Sequence, residues 1–294
     1  MYLDFHTHGK LAKYLPFSPE YTDWLLSEAR SAGLDAVCLT EHFNTKQFAE
    51  LYRYIAGTCD RDGDSFVREG LRIFPGMETD IAEGGHVLTI GPIDAILELN
   101  LRLESHKRKG AFLPAEKLLE LFRGYPVLVG AGHPFREGSH IPELPEKLLS
   151  RFDFLDLNGK DVAGDRESTE RRTRALGERL HRPVVAGSDT HQALQYGCIR
   201  TAFERECTTF GELAREMVSG RYRIEIHPEA AFRVKAAVLL KRSLKEIHAL
   251  GGDYVSVLLG KQPEPASAEF PAKEFRKNDY EISGHAPRFY QGRA

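Results

Sequence analysis

The stretch LDFHTHGK, residues 3–10, places two histidines at the end of a short apolar segment. Because side chains alternate between the two faces of a strand, His6 and His8 share one face, with Cα atoms roughly 6.6 Å apart in an extended chain. Asp4 has the same parity, and two roles are open for it: it orients one of the two rings, or it has a purely structural role. A single pair of this kind is weak evidence for a metal, so its meaning depends on the rest of the chain.

Short apolar runs alternate with helical patterns along most of the 294 residues. The predicted strands cover residues 2–6, 35–40, 72–78, 86–90, 126–131, 154–158, 183–187 and 222–226. The predicted helices between them cover residues 18–33, 45–56, 114–122, 168–180 and 210–219. This repetition favours an α/β barrel, in which the carboxyl ends of the strands meet on one face.

The pattern changes after residue 226. Residues 229–250 form one long predicted helix, and residues 263–294 are rich in proline, glycine and charge. We therefore predict a barrel over residues 1–227, followed by a region, 228–294, with a C-terminal helix and an extended tail. The tail is expected to pack on the barrel or on a partner subunit.

Composition narrows the classes of partner. A net charge of −3 and a pI near 6.5 argue against strong binding to nucleic acid or to anionic membranes. No apolar run approaches the roughly 18 residues of a membrane helix. The four cysteines are far apart and form no C-x-x-C pair, which is typical of a reduced, cytoplasmic protein. Composition leaves the oligomeric state open.

Histidines and acids recur where the predicted strands begin or end. Packed together without a cation, the acids would repel one another and the histidines would compete for protons. We therefore predict a metal cluster with nine candidate ligands: His6, His8, Glu41, His42, Glu78, His86, His133, Asp189 and His191. Adjacent residues of an unbroken strand point to opposite faces. We expect His42 to point inward, and Glu41 to support it or to reach a metal where the strand breaks.

Six short motifs occur in the order found in a known family. They are HTH (6–8), TEH (40–42), GMET (76–79), GGH (84–86), GHP (132–134) and GSDTH (187–191). In this combination the chain resembles the polymerase and histidinol phosphatase (PHP) superfamily over roughly residues 1–227. The resemblance implies a distorted, seven-stranded, TIM-like β/α barrel with a centre of two or three metal ions.

The resemblance also implies three groups of ligands. The first is His6, His8, Glu78 and Asp189; the second is Glu78, His86 and His133; the third is His42 and His191. The chain departs from the family in having Glu41 where relatives often have aspartate. It also lacks the histidine that often follows the first motif. The third metal site is thus expected to be weak, empty, or completed by water or Glu41.

The predicted ligands suit a hydrolytic centre. Mixed imidazole and carboxylate ligands favour manganese, zinc or iron over calcium, without deciding among the three. Two such ions about 3.5–4 Å apart can share a hydroxide that attacks phosphorus in line with the leaving oxygen. Glu78 and Asp189 would then serve catalysis by holding the ions, and no serine or cysteine nucleophile is required.

A phosphate also needs a fixed cation. In FDFLDLNGKD, residues 152–161, the polar residues Asp156, Asn158 and Lys160 share one parity, and the two leucines share the other. If the leucines face the helices, the polar residues run toward the mouth of the barrel. We predict that Lys160 contacts the substrate phosphate; the alternative is a solvated loop lysine.

These observations favour a metal-dependent phosphoesterase acting on a small phosphorylated substrate, which the resemblance suggests is histidinol phosphate or a nucleotide-like monoester. Two alternatives stay open. An amidohydrolase also uses H-x-H and late acidic ligands, but usually has a bridging lysine where this chain has Glu78. A metal-stabilised scaffold without activity would keep the ligands and bind no substrate.

Overall fold

A computed structural model describes residues 1–261 of the protein. Within these residues the chain forms eleven strands and ten α-helices. The strands are β1 (Tyr2–Thr7), β2 (Ala36–Leu39), β3 (Asp60–Asp62), β4 (Ser65–Arg68), β5 (Leu71–Asp80), β6 (His86–Ile90), β7 (Leu128–Gly132), β8 (Phe154–Asn158), β9 (Val184–Gly187), β10 (Ile199–Phe203) and β11 (Tyr222–Ile226). The helices are α1 (Pro19–Ser31), α2 (Phe48–Thr58), α3 (Ile93–Arg102), α4 (Ala115–Phe122), α5 (Glu146–Leu149), α6 (Gly159–Gly164), α7 (Arg166–Leu180), α8 (Phe210–Ser219), α9 (Ala230–Ala249) and α10 (Tyr254–Leu258).

Seven strands form a nearly closed ring. Hydrogen bonds join β1, β2, β5, β6, β7, β8 and β9 in that order. The ring closes just after β9, where Thr190 pairs with Thr7, the amide of Asp189 donates to the carbonyl of His6 at 2.7 Å, and the amide of His8 donates to the carbonyl of Thr190 at 2.9 Å. The predicted distorted barrel is therefore confirmed.

The sheet has more strands than the resemblance implies. β10 pairs antiparallel with the first half of β1, through Tyr2 with Ala202 and Leu3 with Thr201, and β11 pairs with β10. β3 and β4 form a hairpin on β5. The sequence analysis assigned no element to β3, β4, β10 or α3, because a short apolar run is decided by its packing partners rather than by its own periodicity.

One reversed strand matters for the position of a predicted ligand. β6 runs antiparallel to both β5 and β7, whereas the other neighbouring pairs within the ring are parallel. The first residue of β6, His86, therefore pairs with Asp80 at the end of β5 and with Gly132 at the end of β7. A strand start is thus brought to the rim where the parallel strands end.

Two apolar layers stabilise the ring. Side chains from six ring strands pack together inside it, among them Phe5 and Phe154, whose ring centroids are 5.7 Å apart. A second cluster packs the outside of the ring against the helices, including Leu51 of α2 and Ile96 of α3. Both layers are almost fully buried, so the rim that carries the histidines is fixed by tightly packed strands.

The C-terminal helix packs on the ring. Ala230 and Val234 of α9 contact a small cluster that contains Val162 of α6 and Ile199 of β10. The predicted tail, residues 263–294, lies outside the described residues. In the part of the chain that is described, no helix is long and apolar enough to cross a membrane.

A glycine inside the ring provides a test of this packing. A Cβ added to Gly130 on β7 would lie 2.2 Å from two ring atoms of Phe154, whereas one added to Gly57 in α2 meets nothing within 4 Å. We expect Gly130→Ala to lower the free energy of unfolding by about 1–3 kcal/mol, because the added methyl group would overpack the interior of the barrel. Gly57→Ala should raise it by about 0.5–1 kcal/mol. Urea denaturation measures both, and a Gly130→Ala protein as stable as the wild type would contradict this account of the interior.

Candidate metal centre

The nine predicted ligands converge on one rim of the ring around Glu78. Oε1 of this carboxylate lies 2.6 Å from Nδ1 of His86, 3.1 Å from Nε2 of His133 and 3.4 Å from Nε2 of His6. Glu78 is 1% exposed, so its charge is compensated by these rings rather than by solvent. Residues as distant in sequence as His6 and His133 thus meet at one carboxylate.

The second oxygen of the same carboxylate faces two more histidines. Oε2 of Glu78 lies 2.8 Å from Nδ1 of His42 and 3.5 Å from Nε2 of His8. The rings of His8 and His191 stack at a centroid distance of 3.9 Å. Five imidazoles therefore surround Glu78 directly, and a sixth lies beside them.

Three sets of side chains have donor atoms within 4.8 Å of one another. They are His6, Glu78 and His133; His6, His8 and Asp189; and His8, His42 and His191. These sets largely follow the three groups that the resemblance implies. They differ in three ways: the set that matches the first group lacks Glu78, the set that matches the second contains His6 in place of His86, and the set that matches the third also contains His8.

The donor atoms fit a divalent cation. Nε2 of His6, both ring nitrogens of His8 and Oε2 of Glu78 are buried and have no well-aligned hydrogen bond within residues 1–261. A buried polar atom without a partner costs about 1–3 kcal/mol, so a cluster of them is unfavourable unless a ligand satisfies it. Imidazole nitrogens with carboxylate oxygens are the donors that manganese, zinc and iron accept.

Asp156 orients His6. Its Oδ2 lies 2.9 Å from Nδ1 of His6 and accepts hydrogen bonds from Nδ2 of Asn158 at 3.0 Å and from the amide of His133 at 3.3 Å. With its proton on Nδ1, the ring of His6 directs the lone pair of Nε2 toward Glu78. A carboxylate on the far nitrogen of a ligating histidine is common in metal sites.

Asp4 takes the structural one of its two possible roles. Oδ1 of Asp4 accepts from the backbone amides of His6 at 3.1 Å and Ser188 at 2.8 Å, so it joins β1 to the segment after β9. Parity along β1 could not distinguish this use from ring orientation. Complete burial raises the pKa of Asp4 to about 7.

Glu41 and His42 both turn toward the rim because β2 ends at Leu39. Oε1 of Glu41 lies 3.6 Å from Nδ1 of His8 and accepts from the amide of His42 at 3.0 Å, and Oε2 accepts from the amide of Gly9 at 3.2 Å. Glu41 thus supports the loops that carry both histidines, which is the first of the two expected roles.

The charges of the cluster depend on one another. Burial acts to raise the pKa of Glu78, but the neighbouring His86 and His42 outweigh it and hold that pKa well below its usual range. For His133, burial and the nearby Arg136 lower the pKa to about 4. Burial acts to lower the pKa values of His6, His8 and His86, but the neighbouring carboxylates outweigh it and raise them. Since imidazole binds metal in its neutral form, a metal ion at these three rings would displace protons.

Two cations lie beside the histidines. Nζ of Lys160, at the start of α6, lies 2.9 Å from Oδ1 of Asp189. Arg136 donates to Oδ2 of Asp189 at 2.7 Å, to Asp161 at 2.8 Å and to Asn158 at 2.7 Å. Burial acts to raise the pKa of Asp189, but Lys160 and Arg136 hold it well below its usual range. The sequence analysis missed Arg136, although it follows the GHP motif by only two residues.

Two residues of the cluster have left-handed backbone conformations. The φ angle is 29° at His133 and 58° at Asp189, values that side-chain-bearing residues rarely adopt. The amide of Asp189 donates to the carbonyl of His6, which holds it in this conformation. Backbone strain of this kind persists where surrounding structure determines it and is concentrated at functional sites.

Similar solved structures identify the fold. PsfC from Pseudomonas syringae has a TM-score of 0.67 and 24% identity, and the match covers 83% of this chain and 98% of PsfC. A lesion-specific endonuclease Q from Pyrococcus furiosus has a TM-score of 0.54 and 18% identity over 76% of this chain. The chain shares its fold with these two proteins.

The shared fold covers only part of the endonuclease. The match spans 57% of that enzyme, and 58% of it in a complex with a 27-mer duplex carrying an abasic lesion. No protein-family model matches the chain, and no curated protein sequence matches it. The comparisons thus establish the barrel, and the chemistry must be argued from the rim itself.

Removing the central carboxylate tests the predicted metal centre. We expect Glu78→Ala to lose at least one metal ion per chain relative to the wild type, since five imidazoles would lose their shared anion. Glu116→Ala, on the exposed face of α4, is the control and should keep full metal content. Elemental analysis of gently purified proteins measures this. A wild type with less than about one ion per chain after addition of manganese or zinc would contradict the assignment.

The role of Asp156 can be measured separately. Asp156→Asn keeps the size of the side chain but removes the charge that holds Nδ1 of His6. We expect metal affinity to fall by about 10-fold to 100-fold, as for other carboxylates behind ligating histidines. Competition with a chelating dye gives the affinity. An unchanged affinity in a folded variant would show that Asp156 does not position His6.

Proposed function

We propose that the protein is a metal-dependent phosphoesterase that hydrolyses a small phosphomonoester. The observation that carries this proposal is the shared Glu78 carboxylate with two fixed cations, Lys160 and Arg136, at the neighbouring Asp189. Histidines and carboxylates supply the donors for metal ions. The cations supply what a phosphoryl group needs beyond the metals.

The distances support one assignment of the metal ligands. His6, His133, Glu78 and Asp189 would hold metal on one side of the cluster, and His8, His42 and His191 on the other, with His86 beside Glu78. When bound, manganese, zinc or iron lowers the pKa of water and offsets the charge of the phosphoryl oxygens. Glu78 and Asp189 therefore act in catalysis through the ions that they hold.

Lys160 and Arg136 are placed to bind the phosphoryl group. Both contact Asp189, so a phosphoryl group beside this carboxylate lies within reach of both cations. Asp161 and Asn158 fix the guanidinium of Arg136 in place. Donors that are already oriented need little reorganisation as charge moves toward the leaving oxygen.

The charge of the whole chain supports a small substrate. With a net charge of −3, the protein has no general attraction for a polyanion such as nucleic acid, and the cations of the rim are local. A phosphomonoester dianion matches this distribution. The four cysteines are unpaired, which supports the proposal that the enzyme works in the reducing cytoplasm.

The two alternatives, an amidohydrolase and a scaffold without activity, predict different residues at the rim. An amidohydrolase would have a bridging lysine among the histidines, whereas the group at the centre here is Glu78 and Lys160 is paired with Asp189. An inert scaffold has no need of Arg136 and Lys160 beside the ligands. A panel of p-nitrophenyl phosphate, histidinol phosphate, nucleotides and amides with added manganese separates all three, and turnover of amides alone would overturn our proposal.

Lys160 offers the sharpest test of phosphate binding. We expect Lys160→Met to lower kcat/KM for phosphomonoesters by about 10-fold to 1000-fold, because one charged contact to the transition state is lost. Metal content should stay the same, since lysine is not a ligand. Lys117→Met, on the exposed face of α4, is the matched control. An unaltered rate in the Lys160 variant would remove this residue from the site.

A further inference from the structure

The C-terminal helix α9 carries a lysine on its buried face. The buried residues of α9 are Ala230, Val234, Ala237 and Leu244, which recur at helical spacing. Lys241 follows Ala237 by four residues and precedes Leu244 by three, so it belongs to the same stripe. An apolar side chain is normal at such a position, and a lysine there needs a reason.

This part of α9 faces the metal rim. The helix packs against α6, which carries Lys160, and against the turn that follows His191. At its other end, Lys245 of α9 lies over the ring of Tyr14, in the loop after β1 that also holds Lys10, whose carbonyl lies 3.0 Å from Nδ1 of His191. Helix α9 therefore runs along the rim from α6 to this loop, and Lys241 lies on that stretch, one turn before Lys245.

Lys241 has no partner for its charge. Within residues 1–261 it makes no hydrogen bond and no ion pair, whereas Lys160 is paired with Asp189. Burial, and then the neighbouring Lys160, lower the pKa of Lys241 to about 7. Lys245, whose Nζ lies 5.4 Å from the ring centroid of Tyr14, adds positive charge one turn further along. Lys241 and Lys245 thus place two lysines, without a carboxylate partner in the described part of the chain, on the part of α9 beside the rim.

We infer that Lys241 forms a second anion subsite, which binds a carboxylate or a second phosphate of the substrate while the phosphoryl group to be cleaved lies near Lys160 and Asp189. This inference rests on the proposed phosphoesterase function and narrows its substrate to phosphorylated small acids or bisphosphates. Histidinol phosphate does not fit, since its ionised groups other than the phosphate are cationic and would face Lys241 and Lys245.

Binding of stable phosphonates tests the subsite without turnover. The manganese-loaded protein is titrated by calorimetry with ethylphosphonate, which has one anionic group, and with 3-phosphonopropionate, which adds a carboxylate. We expect the wild type to bind the second ligand about 10-fold to 100-fold more tightly, the value of one charged hydrogen bond. Lys241→Met should reduce this preference to less than about 3-fold, with ethylphosphonate affinity unchanged.

Two variants complete the comparison. Lys235→Met removes a lysine from the exposed face of the same helix and should keep the preference. Lys241→Gln removes the charge with a polar side chain, and replaces Lys241→Met if that variant does not fold. A wild type that binds both phosphonates equally, or a Lys241 variant that keeps the preference, overturns the inference. Hydrolysis of p-nitrophenyl phosphate by the same protein would then still support the phosphoesterase proposal, and its absence would refute that proposal separately.

Discussion

The buried charge of Glu78 is the constraint on which the rest of the rim depends. An isolated carboxylate in a site that is 1% exposed would cost several kcal/mol, so metal ions, or protonated imidazoles in their place, must offset its charge. Five imidazoles surround it, and they come from elements that are distant in sequence. The antiparallel direction of β6 serves the same end, because it brings His86 to within 2.6 Å of the carboxylate. Closure of the ring between β1 and β9 brings Asp189 into the same cluster.

Much of this arrangement could be predicted from the sequence because the relevant signals are local. The shared face of His6 and His8 follows from strand parity, and the order of six short motifs indicates the barrel. The choice of Asp156 over Asp4 as the partner of His6 could not be predicted, since both residues have suitable parity in their own strands. Only the packing of β8 against β1 decides between them, through the contact of Asp156 with His6, which are 150 positions apart in sequence.

The missed cations have a similar physical explanation. Arg136 lies in a loop, and no periodicity indicates that its side chain turns back to Asp189. Lys241 did have a signal, its place on the apolar stripe of α9, but the stripe alone does not say which surface the helix covers. The barrel thus provides the rim of candidate metal ligands, while a loop and a helix outside the ring provide the charges that, under our proposal, select the substrate.

The claim that metal ions compensate Glu78 can be tested directly by anomalous X-ray diffraction. Crystals grown with manganese and measured at its absorption edge should show at least one strong peak about 2.0–2.4 Å from both a Glu78 oxygen and Nε2 of His6 or His133. Bond lengths in that range would place the ion among the atoms that now lack hydrogen bonds. Crystals that contain manganese but show no anomalous peak within coordination distance of Glu78 would contradict the account.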